Sequence, residues 1–386
     1  MRRLFCSLLF ALITSTLPAA GANGLGEDDD AFFPMAVWVQ QPRNAEKYRA
    51  IGVNLYVALS GRVNAEALDA LDEAGLRIVC HQNEFALSQK DRKTIAAWMH
   101  GDEPDNAQAV RGGKKGEWGP PIPPETIVER YRRVKAADPA RPVLLNLGQG
   151  VAWDNWIGRG VRRNKPEDYP LYVKGCDIAS FDIYPAGHEH PDVAGKLWYV
   201  GRGVERLVKW TGGQKPVWAC IETTRIHNLK VEPTPGQVRS EVWMAIVHGA
   251  KGIIYFCHQF EPKFIEAGLL ARPEMVEGVK KVNAEVARLA PVINSPAVVD
   301  GAAVESSNPD VPIAVTCRRH DGATYVFAVS MRSGATKGTF DVAGLTGAGR
   351  VEVIGEGRSI ECVDGKFVDE FPGGYDVRLY RIGGRG

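Results

Sequence analysis

The chain has 386 residues, 45% of them hydrophobic and 24% charged, and its 47 basic and 46 acidic side chains leave a formal charge of +1. That length is ample for a large buried core. Near-neutrality supplies no basic field for nucleic acid or anionic lipid, so neither is expected as a partner.

Arg2 and Arg3 precede an apolar run over residues 4–17, and Ala20 and Ala22 follow with small-x-small spacing. Residues 1–22 therefore read as a cleaved export signal, which predicts a secreted or periplasmic protein. The apolar run is shorter than the roughly 20 residues that span a bilayer, so no membrane anchor is expected. Residues 23–33 read as an acidic linker. Beyond Cys6, the thiols Cys80, Cys176, Cys220 and Cys257 fall in or beside apolar runs and are expected to be buried. Cys317 and Cys362 form the pair most open to oxidation in an exported protein. No CxxC or Cys/His spacing suggests zinc, and neither metal nor cofactor is implied.

Between residues 34 and 291, eight apolar runs alternate with helical stretches. The runs cover residues 35–39, 53–58, 76–81, 97–101, 143–147, 178–184, 217–221 and 252–257. They are short and rich in Val, Ile and aromatics, as strands are. Helix punctuation lies between them: Asn64 as an N-cap, Pro124-Glu125 opening a helix to Asp138, and Thr234-Pro235 opening one that ends at Gly249. Strand and helix alternating eight times over about 260 residues predict a (β/α)8 TIM barrel, whose active site lies at the carboxyl ends of its strands. A last helix from Pro273 leads into Pro291. Beyond it, residues 292–386 hold short β-prone runs broken by Gly, Asp and Ser, and predict a small antiparallel β-sandwich.

Two glutamates end matching runs: Glu103 in Gly101-Asp102-Glu103-Pro104 after the fourth strand, and Glu222 in Cys220-Ile221-Glu222-Thr223-Thr224 after the seventh. Paired carboxyl groups across one cavity are what glycosidic cleavage needs: one gives a proton to the leaving oxygen and the other attacks or stabilises the sugar carbon. At these motifs the barrel resembles the large clan of β/α-barrel glycoside hydrolases often called clan A. The resemblance implies Glu103 as acid/base, Glu222 as nucleophile and a retaining double displacement on an oligo- or polysaccharide. Asp102 stands where the clan usually has Asn.

Other strand-end residues are candidates for holding a sugar. Asp182 and Tyr184 share one face after the sixth strand. Tyr184 is expected to donate a hydrogen bond to Glu222, as the resemblance also implies, and Asp182 to bind a sugar hydroxyl or pair with Arg225. His81, Asn146 and His258 end the third, fifth and eighth runs. Trp38 ends the first, and Trp153 follows the fifth in the loop that begins Gly148-Gln149-Gly150. Trp98, Trp218 and Trp243 are expected in the core. The basic runs at residues 111–116 and 159–163 are either solvated or line a subsite for an acidic sugar. Two other readings compete. One is a carbohydrate-binding barrel without turnover, and the other a metal-dependent barrel hydrolase, whose usual His-x-His on the first strand is replaced here by Trp38-Val39-Gln40.

Overall fold

The computed structural model describes residues 23–25, 30–114, 116–157 and 160–383. The expected export signal lies outside the described residues. Eight strand and helix pairs follow in order: β1 (Met35–Gln40) and α1 (Ala45–Arg49), β2 (Leu55–Leu59) and α2 (Ala65–Glu73), β3 (Arg77–Cys80) and α3 (Glu84–Ser88), β4 (Ile95–Asp102) and α4 (Pro124–Ala137). The second half adds β5 (Val143–Leu147) and α5 (Tyr169–Tyr172), β6 (Ile178–Asp182) and α6 (Trp198–Trp210), β7 (Val217–Glu222) and α7 (Pro235–Val247), β8 (Gly252–Phe256) and α8 (Pro273–Asn294). The strands are parallel and close into a barrel, with β8 paired to β1. All eight expected runs are strands.

Local chemistry explains the helix starts. The Asn64 side chain accepts from Ala67 N at the head of α2, and Thr234 and Gln237 form a reciprocal capping box at the head of α7. Alternation along the strands sorts the core in two. Ala36, Val57, Val79, Met99, Leu144, Ile178, Trp218 and Ile254 fill the barrel interior, while Val37, Ile78, Trp98, Leu145, Phe181 and Ile221 pack outward against the helices.

Helix α8 runs through Pro291 to Asn294, so the barrel's last helix ends later than Pro291 suggested. After it come β9 (Ala302–Ser306), β10 (Ile313–His320), β11 (Ala323–Ser330), β12 (Thr336–Val342), β13 (Ala348–Val353), β14 (Arg358–Val363), β15 (Lys366–Phe371) and β16 (Val377–Ile382). They form one antiparallel sheet in the order β10-β11-β16-β13-β14-β15-β12-β9. The sheet curls until its edges β9 and β10 approach, around a core of Phe340, Phe367, Phe371 and Tyr380. The small antiparallel β-domain expected from sequence is thus present, its eight strands joined in one nearly closed sheet. Cys317 and Cys362 face this core as free thiols, and all six described cysteines are buried and unbonded. The disulfide considered for that pair is not formed.

Candidate active site

A cavity of about 520 Å³ opens at the carboxyl ends of the barrel strands, within the size range of small-ligand sites. Its walls include Trp38, Trp156, Tyr184, Phe256 and Phe260, and its acidic side chains are Asp102, Glu103, Asp182 and Glu189.

A β-bulge aims the first two acids. In the pairing of β4 with β5, Met99 faces Leu144 and Gly101 faces Leu145, so His100 is an extra residue opposite nothing. Strict alternation from the inward-facing Met99 would turn Asp102 outward. The extra residue reverses the alternation and sets Asp102 opposite Asn146, facing inward. Glu103 then adopts a left-handed backbone conformation (φ 41°) while its N–H donates to Asn146 O at 2.9 Å. A non-glycine residue held there is strained, and such strain gathers at functional sites. Asn106 Nδ2 donates to Glu103 Oε2 at 2.5 Å, and Trp156 Nε1 donates to Asn106 Oδ1 at 2.9 Å. One chain of hydrogen bonds therefore links the glutamate to an aromatic wall.

Asp182, at the end of β6, stands within hydrogen-bonding reach of Glu103. Its carboxyl is pushed well above the usual carboxylate range by burial, by the Glu103 charge and hydrogen bond, and by the Asp102 charge. Tyr184 Oη donates to Asp182 Oδ2 at 3.1 Å. Desolvation within the cleft and the Glu103 charge push Asp102 up to about 6, against the pull of Asn146 Nδ2, which donates to it at 3.0 Å. Asp105, beneath the cavity, is raised by burial to about 7. It accepts from Gly148 N at 2.8 Å and from Tyr169 Oη at 3.0 Å. Burial and the neighbouring carboxyl charges thus make Asp102, Asp105 and Asp182 bind their protons more tightly than free carboxyl groups do.

Glu222 occupies a different place from the one expected. It ends β7 at the same rim, yet it is fully buried and takes no part in the cavity lining. Its Oε1 accepts from Ala186 N at 2.6 Å and its Oε2 from Gly187 N at 2.8 Å. Both amides belong to the loop after β6, which lies between the carboxyl group and the cavity. On its other side is Glu241 of α7, itself fully buried, with neither carboxyl oxygen hydrogen-bonded. Burial pushes Glu222 up to about 8 against the pull of the two amides, and burial with the Glu222 charge holds Glu241 well above its ordinary range. Thr223 and Thr224, which follow Glu222, donate to Phe256 O and His258 O and tie β7 to the end of β8.

The remaining expectations divide. Trp38, Asp102, Asp182 and Tyr184 reach the cavity; His81, Asn146, Trp153 and His258 do not. His81 is exposed at the end of β3. Asn146 lies beneath Asp102 as its hydrogen-bond donor. Trp153 stacks behind Trp156, with ring centroids 5.5 Å apart. His258 is buried behind the β8 aromatics, stacked on Phe260 and Phe264. Tyr184 serves Asp182 and not Glu222. Arg225 is bound to Glu232 at 2.6 Å and makes no pair with Asp182. The described residues of the basic runs do not line the cavity: Arg111 is exposed and Arg162 is held by Asp168 at 2.5 Å. Sequence reasoning missed Asn106, His188, His227 and Phe260, all loop residues in the lining. The one visible signal was the aromatic spacing Phe256, Phe260, Phe264 after β8.

Known proteins resemble this architecture. Residues 125–284 match the model of the Glyco_hydro_42 family, described as Beta-galactosidase. That span holds Asn146, Asp182, Tyr184 and Glu222 and stops short of Asp102 and Glu103. Beta-galactosidase BgaA from a Thermus species is 33% identical over 154 residues, which is 32% of this chain and 22% of that protein. The chain therefore matches about a fifth of the length of its curated relatives. Among solved structures, the α-amylase of Geobacillus thermoleovorans in complex with acarbose aligns over 92% of this chain and 99% of its own, with a TM-score of 0.55 and 9% identity. A putative α-galactosidase of Bacteroides fragilis aligns over 92% of this chain and 80% of its own, with a TM-score of 0.52 and 9% identity. The architecture of a barrel followed by a β-domain is shared with these glycoside hydrolases.

Proposed function

We propose that this chain hydrolyses a glycosidic bond in the cavity at the carboxyl ends of β4 and β6, with Glu103 as the proton donor. The observation that carries the reading is the meeting of Asp102, Glu103 and Asp182 in a space walled by Trp38, Trp156, Tyr184, Phe256 and Phe260. Aromatic faces stack on sugar rings, and convergent carboxyl groups supply both the proton and the negative charge that an oxocarbenium-like transition state requires. The cavity's acids outnumber its free cations, because Arg225 is bound to Glu232, which favours a neutral sugar over an acidic one. The family match over residues 125–284 makes β-galactosides the first substrates to test.

In the retaining cycle, Glu103 protonates the leaving oxygen while a carboxylate bonds to the anomeric carbon; water then displaces that carboxylate as Glu103 takes its proton. Glu222, to which strand counting assigns the attack, must first be released from the amides of Ala186 and Gly187. Export to the periplasm or beyond, read from residues 1–22, belongs to the same proposal. It is checked by the amino terminus of the protein recovered from its host.

The test is a panel of aryl glycosides and plant, algal and bacterial polysaccharides given to the purified protein. The expected result is turnover of at least one glycoside, with Glu103→Gln losing activity on natural linkages far more than on dinitrophenyl leaving groups. Equal loss on both would count against the acid role. A carbohydrate-binding barrel without turnover is the second reading, and the burial of Glu222 is the observation that favours it. Saturable binding of a sugar with no released product would establish that reading instead.

A further inference from the structure

Resting on the hydrolase reading, we propose that the substrate is a saccharide chain longer than the cavity, whose outer units lie on a row of aromatic rings that leads out of the cavity to Phe264. The row is continuous. Tyr184 and Phe256, both half-buried in the cavity wall, have ring centroids 4.9 Å apart; Phe260 follows Phe256 at 6.3 Å, and Phe264 follows Phe260 at 5.7 Å. Exposure rises along it, to 38% at Phe260 and 61% at Phe264. The last ring stands outside the cavity lining, with more than half of its residue surface in water.

The rings are held in place. Gln259 and Ile265 exchange both backbone hydrogen bonds, at 3.0 and 2.8 Å, and close a small hairpin that carries Phe260 and Phe264 just inside its ends. Phe260 N and Glu261 N both donate to Ile226 O, at 2.8 and 3.2 Å, which fastens the hairpin to the loop after β7. From that loop His227 stacks on Phe260 with centroids 4.8 Å apart and planes 14° from parallel, while the buried His258 supports both Phe260 and Phe264. A platform ordered before the ligand arrives loses little freedom on binding, and apolar surface displayed beside a cavity marks a place where ligand lies.

The surroundings select the occupant. A specific protein interface buries about 1,200–2,000 Å² in total, whereas an aromatic side chain supplies about 150–250 Å², so two partly exposed rings fall short of one. A wholly apolar group would remain half in water on so open a row. A sugar suits it, because its C–H face covers a ring while its hydroxyl edge stays hydrated or reaches Glu261 and Lys263, both exposed at the hairpin tip. Since the row begins at Tyr184 and Phe256 in the cavity that holds Glu103, a chain cut there has its next units directed onto Phe260 and Phe264.

The test is a length series. Values of kcat and KM are measured on an aryl monoglycoside and on oligosaccharides of increasing length built from a sugar turned over in the panel, for the wild type, Phe264→Ala and Phe264→Trp. In the wild type kcat/KM should rise with length, chiefly through KM. Phe264→Ala should lose roughly threefold to tenfold on the longest chain and less on shorter substrates, with its thermal transition unchanged, and Phe264→Trp should keep the preference for length. A wild type indifferent to length, or an equal loss by Phe264→Ala on every substrate, overturns the inference and leaves the hydrolase intact. Should no sugar be turned over, the hydrolase reading fails, and the panel's oligosaccharides are compared by calorimetric affinity. Binding that tightens with length and loses that gain in Phe264→Ala then upholds the row on a barrel that does not cut; its absence overturns the row too. A wild-type dimer that Phe264→Ala converts to a monomer in sedimentation assigns the rings to a second copy of the chain and overturns the inference.

Discussion

Glu222 is a carboxyl group whose proton is worth free energy to the fold. Burial raises it from 4.5 to about 8 against the pull of the Gly187 and Ala186 amides. Below about pH 4.5 the group is protonated both folded and unfolded, and its contribution is fully present. As pH rises, the unfolded chain releases a proton that the folded chain keeps. Stability therefore falls until about pH 8, where the loss is complete. Asp182 and Glu241 are raised too and act in the same direction. The thermal transition should stand higher near pH 5 than near pH 9, and Glu222→Gln should flatten that slope. A wild-type transition unchanged between the two would contradict the burial described. Gly187 shares this constraint, because a Cβ there would lie 2.9 Å from Glu222 Oε2. Gly187→Ala should cost about 1–3 kcal/mol in urea unfolding, by pressing the carboxyl group off its amides. At this scale the sequence showed which carboxylates end which strands. It could not show where they point, because the bulge at His100, the left-handed turn at Glu103 and the loop over Glu222 are set by pairing and packing that no local pattern records.

At the scale of elements, the active rim depends on how closely the helices seat against the strands. Gly203 of α6 lies where a Cβ would come within 2.2 Å of the Phe181 ring, and Phe181 is the outward neighbour of Asp182 on β6. The helix packs there because it has no side chain. Gly203→Ala should lower stability by about 1–3 kcal/mol or more and reduce turnover as well, since β6 carries Asp182. A stability loss with normal kcat would show that β6 absorbs the shift without moving its end. All eight barrel strands were legible because each is a short β-branched or aromatic run bounded by turn residues or helix caps. The second sheet was read less completely. Strands β12 and β15 interleave Thr, Lys, Asp and Glu with their inward Phe residues, and their pairing is between segments distant in sequence. Its curvature into a nearly closed sheet follows from strand order, which composition does not encode.

For the molecule as a whole, the barrel and the second sheet share a core. Phe327, Val329, Met331, Val377 and Leu379 belong to the same buried cluster as the outer face of the barrel, and Trp243 of α7 meets Phe327 edge-on with ring centroids 5.1 Å apart. Polar ties cross the same boundary: Ser240 Oγ donates to Tyr375 O at 2.6 Å, and Tyr375 Oη donates to Gly195 O at 2.9 Å. The Arg332 guanidinium lies 4.3 Å from the Trp198 ring centroid, near enough for a cation–π contact. Helix α8 ends at Asn294, and Arg318 of β10 donates to Ser295 O at 2.6 Å, so the sheet is bound to the chain directly after the helix. Parts joined through an apolar interface of this kind lose shared buried surface if either opens alone, which couples their unfolding. A single calorimetric transition is therefore expected, coincident with the change in tryptophan fluorescence. Phe327→Ala removes the ring between the two parts and should cost about 3–5 kcal/mol, shifting that transition downward without splitting it. Two separated transitions in the wild type, or a variant in which the sheet melts while the barrel's transition stays in place, would mean that the interface does not carry the coupling.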